Sequence, residues 1–478
     1  MTIDGSPRPE TAEAADAPTE PTPSARSPRG WSALRPLVLR MHFYAGVLIA
    51  PFLLVAAASG LLYALSFQAE KVLYAHELEV PVGDEVLPLS QQVHAATKVN
   101  PNGTVTAVWP SAEEGATTRV LMADPDVEEG TSLAVFVDPY TGDIRGQLPS
   151  YGSSGALPLR AWLDALHRDL HLGDLGRNYS ELAASWLWVV ALGGLLLWIG
   201  RRRSSRRALF VPERGPRSRR RTLSWHGSVG LWAVVGLVVL SATGLTWSRY
   251  AGENIGAVQD QLGGATPAVS ATLGGGAGDG GHEGHGDGHR TPATAQGPDV
   301  GIDRVVEAAR AAGIEGRTSV VLPSEGKGYV VKETDAQFPV HLDSVAVDPA
   351  DGAIMDELRF ADHPVLAKLT RFGIDAHMGT FLGLFNQLVL AALALALILL
   401  ILWGYRMWWL RRPGRPVARG AWRKVPPTML LPLAAVTAVV GWFVPLLGLS
   451  LLAFLAVDLV TGLIARAGSR RRDPAESA

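Results

Sequence analysis

The sequence predicts a multi-pass α-helical membrane protein: a four-helix core, a C-terminal hairpin, and two small extracytoplasmic α+β modules. Three observations carry that expectation. Mean hydropathy is +0.16 over 478 residues, with 47% hydrophobic and only 18% charged side chains. That balance suits neither a purely soluble globular chain nor a disordered one. Several apolar runs are long enough to cross a hydrocarbon core as helix, which takes roughly 20 residues. The charges, 43 basic against 45 acidic for a net −2, are sorted by position along the chain. There is no cysteine, which excludes disulfide frameworks, thiolate metal sites, iron–sulfur clusters and cysteine nucleophiles.

Residues 1–33, rich in Pro, Ala, Ser, Thr and Glu, read as a disordered cytoplasmic tail. They are too long a leader for a signal peptide, and no small-residue cleavage site follows the first apolar run. A first span is expected over 40–67, with its apolar run at His42–Phe67, then an outer module over 68–181 and a second span over 182–200. A cytoplasmic loop (201–224) leads to a third span (225–247), and a Gly/His-rich linker (248–298) to a second outer module (299–379). A fourth span (380–404) and a basic loop (405–427) follow. The apolar block 428–466, broken at Pro445 and Gly448, reads as a hairpin of two short helices before the tail 467–478. Six helices are therefore expected.

Charge sets the orientation. The segment 201–223 holds ten Arg against Glu213 alone, and 406–424 holds seven bases and no acid. By contrast, 68–183 carries 17 acids against 7 bases, and 249–379 carries 19 against 10. The positive-inside rule then puts both termini and the Arg-rich loops in the cytoplasm, and the protein in the cell membrane. The arginine run serves topology and anionic lipid better than nucleic acid.

The two outer modules look like copies. Each opens with a helix-like stretch, Leu89–Lys98 or Ile302–Ala312. Short β-prone runs follow, Thr104–Trp109, Thr118–Met122 and Leu133–Val137 in the first, Ser319–Leu322, Gly328–Lys332 and Val340–Val347 in the second. Each closes on D-P-x-x-G, at Asp138–Gly142 and Asp348–Gly352, a tight turn in which Pro sets φ and Gly takes the left-handed position. The spans repeat more sharply. His42-x3-Gly46 and Ser59-Gly60-Leu61 in the first match His226-x3-Gly230 and Thr243-Gly244-Leu245 in the third, with 18 residues from His to the second Gly in both (60 − 42, 244 − 226). Before the second and fourth spans stand His167-x3-His171-x-Gly173 and His377-x-Gly379, and both spans end in a Leu-Trp pair (Leu197-Trp198, Leu402-Trp403).

A single histidine at a helix end is about as often an interfacial hydrogen-bonder as a ligand. Four at matched points of a repeat are harder to dismiss, because ionisable groups at membrane depth are costly. His42 with His226 on one side, and His377 with His167 or His171 on the other, are what two bis-histidine haems b require. The nearby glycines would let a flat macrocycle approach the backbone. His282, His285 and His289, in the tract Gly281–Arg290, are candidate ligands for Zn, Cu or Ni, weighed evenly against a plain flexible linker. Asp458 stands in the last apolar run as a possible proton-path or partner residue, or one that reaches the interface. The tryptophans, Trp186, Trp198 and Trp247 among them, read as interfacial belts. No Walker loop, H-E-x-x-H, nucleophile elbow or dinucleotide fingerprint is present.

The chain resembles the PepSY-associated transmembrane proteins, which include iron-regulated membrane proteins and inner-membrane ferrisiderophore reductases. The likeness covers about residues 35–412. It rests on His42 with Gly46, Leu166-His167-Arg168-Asp169-Leu170 with Gly173 and Gly176, Trp225-His226 with Gly230, His377 with Gly379, and the two D-P-x-x-G turns. It implies a four-helix haem-binding core flanked by PepSY modules, with His42, His226, His167 and His377 as axial ligands and His171 as the alternate or a propionate partner. It implies electron transfer from an unidentified cytoplasmic donor to an extracytoplasmic acceptor, with ferric-siderophore reduction as the expected enzyme activity. Two other readings stay open: a haem-free PepSY protein regulating extracytoplasmic peptidases, and a metal-handling membrane protein.

Overall fold

The computed structural model describes residues 30–128, 130–201, 206–215, 218–273, 298–410 and 425–470, the last six of these as backbone only. In chain order the helices are α1 (Trp31–Leu48), α2 (Ala50–Leu73), α3 (Ala75–Leu78), α4 (Leu89–Val99), α5 (Pro158–Asp169), α6 (Asp174–Ile199) and α7 (Arg207–Phe210). Then come α8 (Arg219–Leu245), α9 (Tyr250–Gln261), α10 (Ile302–Ala311), α11 (Val365–Met378), α12 (Gly383–Trp409), α13 (Pro427–Phe443) and α14 (Pro445–Arg470). The strands are β1 (Thr104–Trp109), β2 (Thr118–Ala123), β3 (Thr131–Val137) and β4 (Ile144–Tyr151), then β5 (Thr318–Val321), β6 (Tyr329–Glu333), β7 (Ser344–Val347) and β8 (Ile354–Leu358).

Among the described residues five helices are long and apolar enough to cross a membrane: α2, α6, α8, α12 and α14 through Ile464. The sixth expected, α13, is apolar but only 17 residues long. The first span is interrupted at Ile49, because Pro51 has no N–H to donate. Ile49 N still donates to Ala45 O (2.8 Å) and Leu53 N to Ile49 O (3.1 Å), so hydrogen bonding continues from α1 into α2. Packing closes a ring in which α2 touches α12, α12 touches α8, α8 touches α6, and α6 touches α1 and α2. The core of that ring includes Ala45, Leu53, Ala183, Trp186, Ala233, Leu237 and Leu400. Trp186 and Trp198 are buried, not interfacial; their indole N–H groups donate to Ser450 Oγ (2.8 Å) and Leu209 O (3.0 Å).

The two expected modules are one sheet. Each half is a four-stranded antiparallel meander, and β1 pairs with β5 so that the order is β4-β3-β2-β1-β5-β6-β7-β8. The joining register is Ala107↔Val321 and Val108↔Val320. Period-2 alternation sends Val120, Met122, Val135 and Val137 to the face under α4, and Leu121, Ala134 and Phe136 to the opposite face against Leu157. Val305 and Ala309 of α10 enter the same core as Ala96 of α4, so the halves share one apolar interior. Both D-P-x-x-G turns close alike. Gly142 and Gly352 sit at φ 78 and 77, and their N–H groups donate to Asp138 O and Asp348 O at 2.9 Å.

Candidate functional site

Four imidazoles meet in two pairs, at opposite ends of the bundle. At the end bearing the arginine-rich loops, His42 of α1 faces His226 of α8 with ring centroids 6.2 Å apart and planes at 73°. At the sheet end, His167 of α5 faces His377 of α11 at 6.4 Å and 49°. His226 and Thr243, which marks the sheet-end level, lie 17 residues apart on α8 (243 − 226). A rise of 1.5 Å per residue separates the levels by about 25 Å.

The geometry of Nδ1 decides what each ring can do. His42 Nδ1 lies 3.0 Å from Val190 O of α6, and His226 Nδ1 lies 3.0 Å from Leu400 O of α12. A carbonyl only accepts, so Nδ1 carries the proton and Nε2 keeps its lone pair. At the sheet end, His167 Nδ1 is 2.9 Å from Ser59 Oγ and His377 Nδ1 is 2.7 Å from Thr243 Oγ1. Ser59 donates to Val55 O (2.9 Å) and Thr243 to Val239 O (2.8 Å). Each hydroxyl has spent its one proton and accepts from Nδ1–H. All four rings are therefore the tautomer a metal-ligating histidine needs, its far nitrogen fixed by a partner. Burial pushes the pKa of His377 down to about 3, with the neighbouring His167 adding to it, and burial lowers that of His167 too. Both are neutral near pH 7.

The spacing suits an ion shared by two imidazoles. A nitrogen ligand sits about 2.0–2.1 Å from a first-row ion, and the ring centre roughly 1.1 Å behind it, so two opposed rings should be about 6.3 Å apart. Among the described residues no group of three or more His, Asp or Glu is placed to hold a metal. Each facing pair offers two imidazole nitrogens. The donors and their spacing fit a bis-histidine haem.

Local structure explains how α5 and α11 present their histidines. α5 ends at Asp169, and Leu170 and His171 take left-handed φ of 56 and 54, a strained pair for residues with a Cβ. The Asp169 carboxylate accepts from His171 N (3.0 Å), and Asp169 O rests where a Cβ on Gly176 would be, 1.5 Å away. That contact requires Gly176 and folds α5 back against α2, where Arg160 pairs with Glu70 (3.0 Å). His167 thereby turns inward. His171 does not share its face, because the helix stops between them; it is exposed and lies against Trp162 at 5.0 Å. α11 ends instead on Gly379 at φ 86.

The glycines fall into two groups. A Cβ on Gly60 would lie 3.2 Å from His167 Cε1, on Gly244 3.5 Å from His377 Cε1, and on Gly194 2.9 Å from His42 Cε1. These three make room for imidazoles. Gly46 faces open space, and Gly230 meets only Leu400.

The repeat is now measurable. Its first part has an offset of 184 (226 − 42, 243 − 59) and its second an offset of 210 (348 − 138, 377 − 167, 400 − 190). The Leu-Trp pairs, at 402 − 197 = 205, are out of that register and are not equivalent. Sequence reasoning missed the acceptors Val190 and Leu400, which are backbone groups, and the roles of Ser59 and Thr243. It did not single out Tyr63, and it read Trp247 as part of an interfacial belt; the two are equivalent by the same offset (247 − 63 = 184). Trp247 sets its ring edge against His377 at 5.4 Å and 85°, and the Tyr63 hydroxyl lies 3.8 Å from Met378 Sδ. Asp458 pairs with Arg40 of α1. His282, His285 and His289 lie outside the described residues.

The family model of the PepSY-associated TM region matches residues 39–411. With 373 of 478 residues matched (411 − 39 + 1), the chain belongs to that family. No curated protein matches it. The hairpin α13–α14 lies beyond the matched region.

Proposed function

We propose that this member of the PepSY-associated TM family is a transmembrane electron-transfer protein that reduces an extracytoplasmic ferric chelate, such as a ferric siderophore, with electrons from a cytoplasmic donor. The observation that carries the reading is the two facing imidazole pairs, each ring with Nδ1 engaged, at two levels of one bundle. His42 with His226 would hold one haem b and His167 with His377 a second. Bound haem supplies a one-electron Fe(III)/Fe(II) couple, whose position and potential the chain sets.

The chain's own groups supply the rest. Val190 and Leu400, and Ser59 and Thr243, hold the rings in one tautomer and one orientation. The apolar ring of α1/α2, α6, α8 and α12 keeps water from between the two levels. By the positive-inside rule the arginine-rich loops and both termini are cytoplasmic, so His42 and His226 form the inner level and the eight-stranded sheet lies outside the cell membrane. An acceptor then arrives at the sheet end, where Trp247 and Tyr63 flank the outer pair. Reduction of Fe(III) weakens its hold on hard oxygen ligands and favours release.

The test is the visible spectrum of the purified full-length protein, oxidised and dithionite-reduced. A Soret band with sharp α and β bands on reduction is expected. A colourless preparation from haem-replete cells would remove the reading.

A further inference from the structure

The two-fold likeness of the bundle breaks at one place beside the inner pair. Two residues before His42 stands Arg40, 5% exposed, whose Nε has no hydrogen-bond partner among the described residues. The equivalent position in the second half is Ser224 (224 − 40 = 184), whose hydroxyl accepts from Glu213 N at 3.0 Å. At this pair of equivalent positions, the first half thus buries a cation two residues along the helix from its histidine, and the second half has a serine. Arg406 of α12 bonds Thr222 and, unlike Arg40, is exposed.

Arg40 is met by α14, outside the family region. Arg40 and Tyr44 are four apart on α1, and Phe454 and Asp458 are four apart on α14, which runs the opposite way. Tyr44 packs on Phe454 at 5.5 Å, Arg40 lies over the Tyr44 ring at 5.6 Å, and Asp458 pairs with Arg40. The hairpin is anchored there by Trp186 on Ser450 (2.8 Å) and by Asn254 on Phe443 O (2.9 Å). A buried guanidinium is costly unless paired. Unpaired, it would also favour extra negative charge nearby, and a reduced metal centre is one electron more negative than its oxidised form.

We infer that Asp458 is a positioning residue for the inner centre: by cancelling the charge of Arg40 it holds the potential of the group ligated by His42 and His226 low enough to pass electrons outward. This rests on the electron-transfer reading above. It gives the appended hairpin a function, as the element that carries the counter-charge into the bundle.

The experiment is a redox titration of full-length protein in detergent, followed at the α band, in the His377→Ala background where the inner haem alone is expected. Asp458→Asn should move its midpoint to more positive potential, raising the reduced-to-oxidised ratio at a fixed poise roughly several-fold. Arg40→Gln combined with Asp458→Asn should return it to the parent value, because the net local charge is again zero. Asp458→Glu should leave it unchanged. Thermal unfolding provides a readout free of haem: Asp458→Asn should destabilise the protein, and the double variant should recover most of the loss. If stability follows this pattern while the midpoint stays fixed, the pair is only a clamp and the inference is overturned. A midpoint shift that persists undiminished in the double variant also overturns it. A parent protein that binds no haem instead removes the reading beneath it, and this inference with it, by an absent spectrum and not by an unmoved midpoint.

Discussion

The two histidine pairs do the same geometric work by different means, and the difference shows which parts of the site a sequence can write down. At the arginine end, both Nδ1 atoms rest on backbone carbonyls, Val190 O and Leu400 O. At the sheet end they rest on side-chain hydroxyls, Ser59 and Thr243. The arginine-end histidines lie on long membrane helices, whose neighbours offer carbonyls at every turn. The sheet-end histidines come from short helices, α5 and α11, that fold in from the sheet side and need a hydroxyl reaching out to meet them. One pair is thus protected against substitution at its supporting partners, and the other is exposed to it.

Four experiments would break or sharpen that comparison. The largest effect is expected from the ligands. His42→Ala and His226→Ala should each lower haem content to about half, and the double variant should fall no further, because in the proposed arrangement the two would share one haem. His167→Ala with His377→Ala should behave alike for the other half. Haem per chain, measured by pyridine haemochrome, checks it; a double variant that loses all haem while each single one loses half would show that the pairing is wrong.

Next in size is loss of function at one level only. With protein oriented in vesicles, reductant inside and ferric siderophore outside, His377→Ala should abolish reduction of the chelate while the arginine-end level still accepts electrons. His226→Ala should leave a sheet-end level that the chelate oxidises but the inner donor does not refill. Stopped-flow spectra in which both variants cycle at wild-type rates would end the series arrangement.

The supporting partners should give intermediate effects, and here the two ends should part. Thr243→Val and Ser59→Ala remove the only side-chain acceptors and should weaken haem retention at the sheet end by roughly 10–100-fold. Val190→Ala and Leu400→Ala keep their carbonyls and should leave the arginine end within about twofold of wild type by the same measure. Retention under competition with apomyoglobin reads both. Equal losses at the two ends would show that packing, and not the Nδ1 partner, decides retention.

The smallest effect is expected from the His-rich tract. Deleting 281–290 should leave the visible spectrum and the reduction rate nearly unchanged and should lower Zn or Cu binding, measured by calorimetry. Collapse of the Soret band would mean that His282, His285 or His289 ligates iron after all.

Some of this architecture was legible in the residues, and particular positions show why. The D-P-x-x-G turns at 138 and 348 needed only local chemistry, a Pro, an acceptor Asp and a left-handed Gly, and they close with nearly identical φ. The apolar runs bounded the spans because hydrocarbon thickness sets their length, though Pro51 interrupted the first and α13 came out at 17 residues. The choice between His167 and His171 was not legible. Four residues apart reads as one helical face, and only the turn built on Gly176 and the carboxylate of Asp169 shows that the helix ends between them.

The class of molecule, a multi-pass chain of apolar helices with an outer antiparallel β region, was legible in the residues, as were the internal repeat and the matched placement of four histidines, because apolar run length and residue identity are properties of the chain in one dimension. Tertiary structure alone decided that the two modules fuse through β1 and β5 into one sheet, since any edge strand offers the same N–H and C=O groups whatever its side chains. It alone assigned Val190 and Leu400, because a carbonyl that accepts from a histidine is identical in every residue. And it alone joined Arg40 to Asp458, 418 residues apart, because complementary charges find one another through packing and leave no mark of the match along the chain.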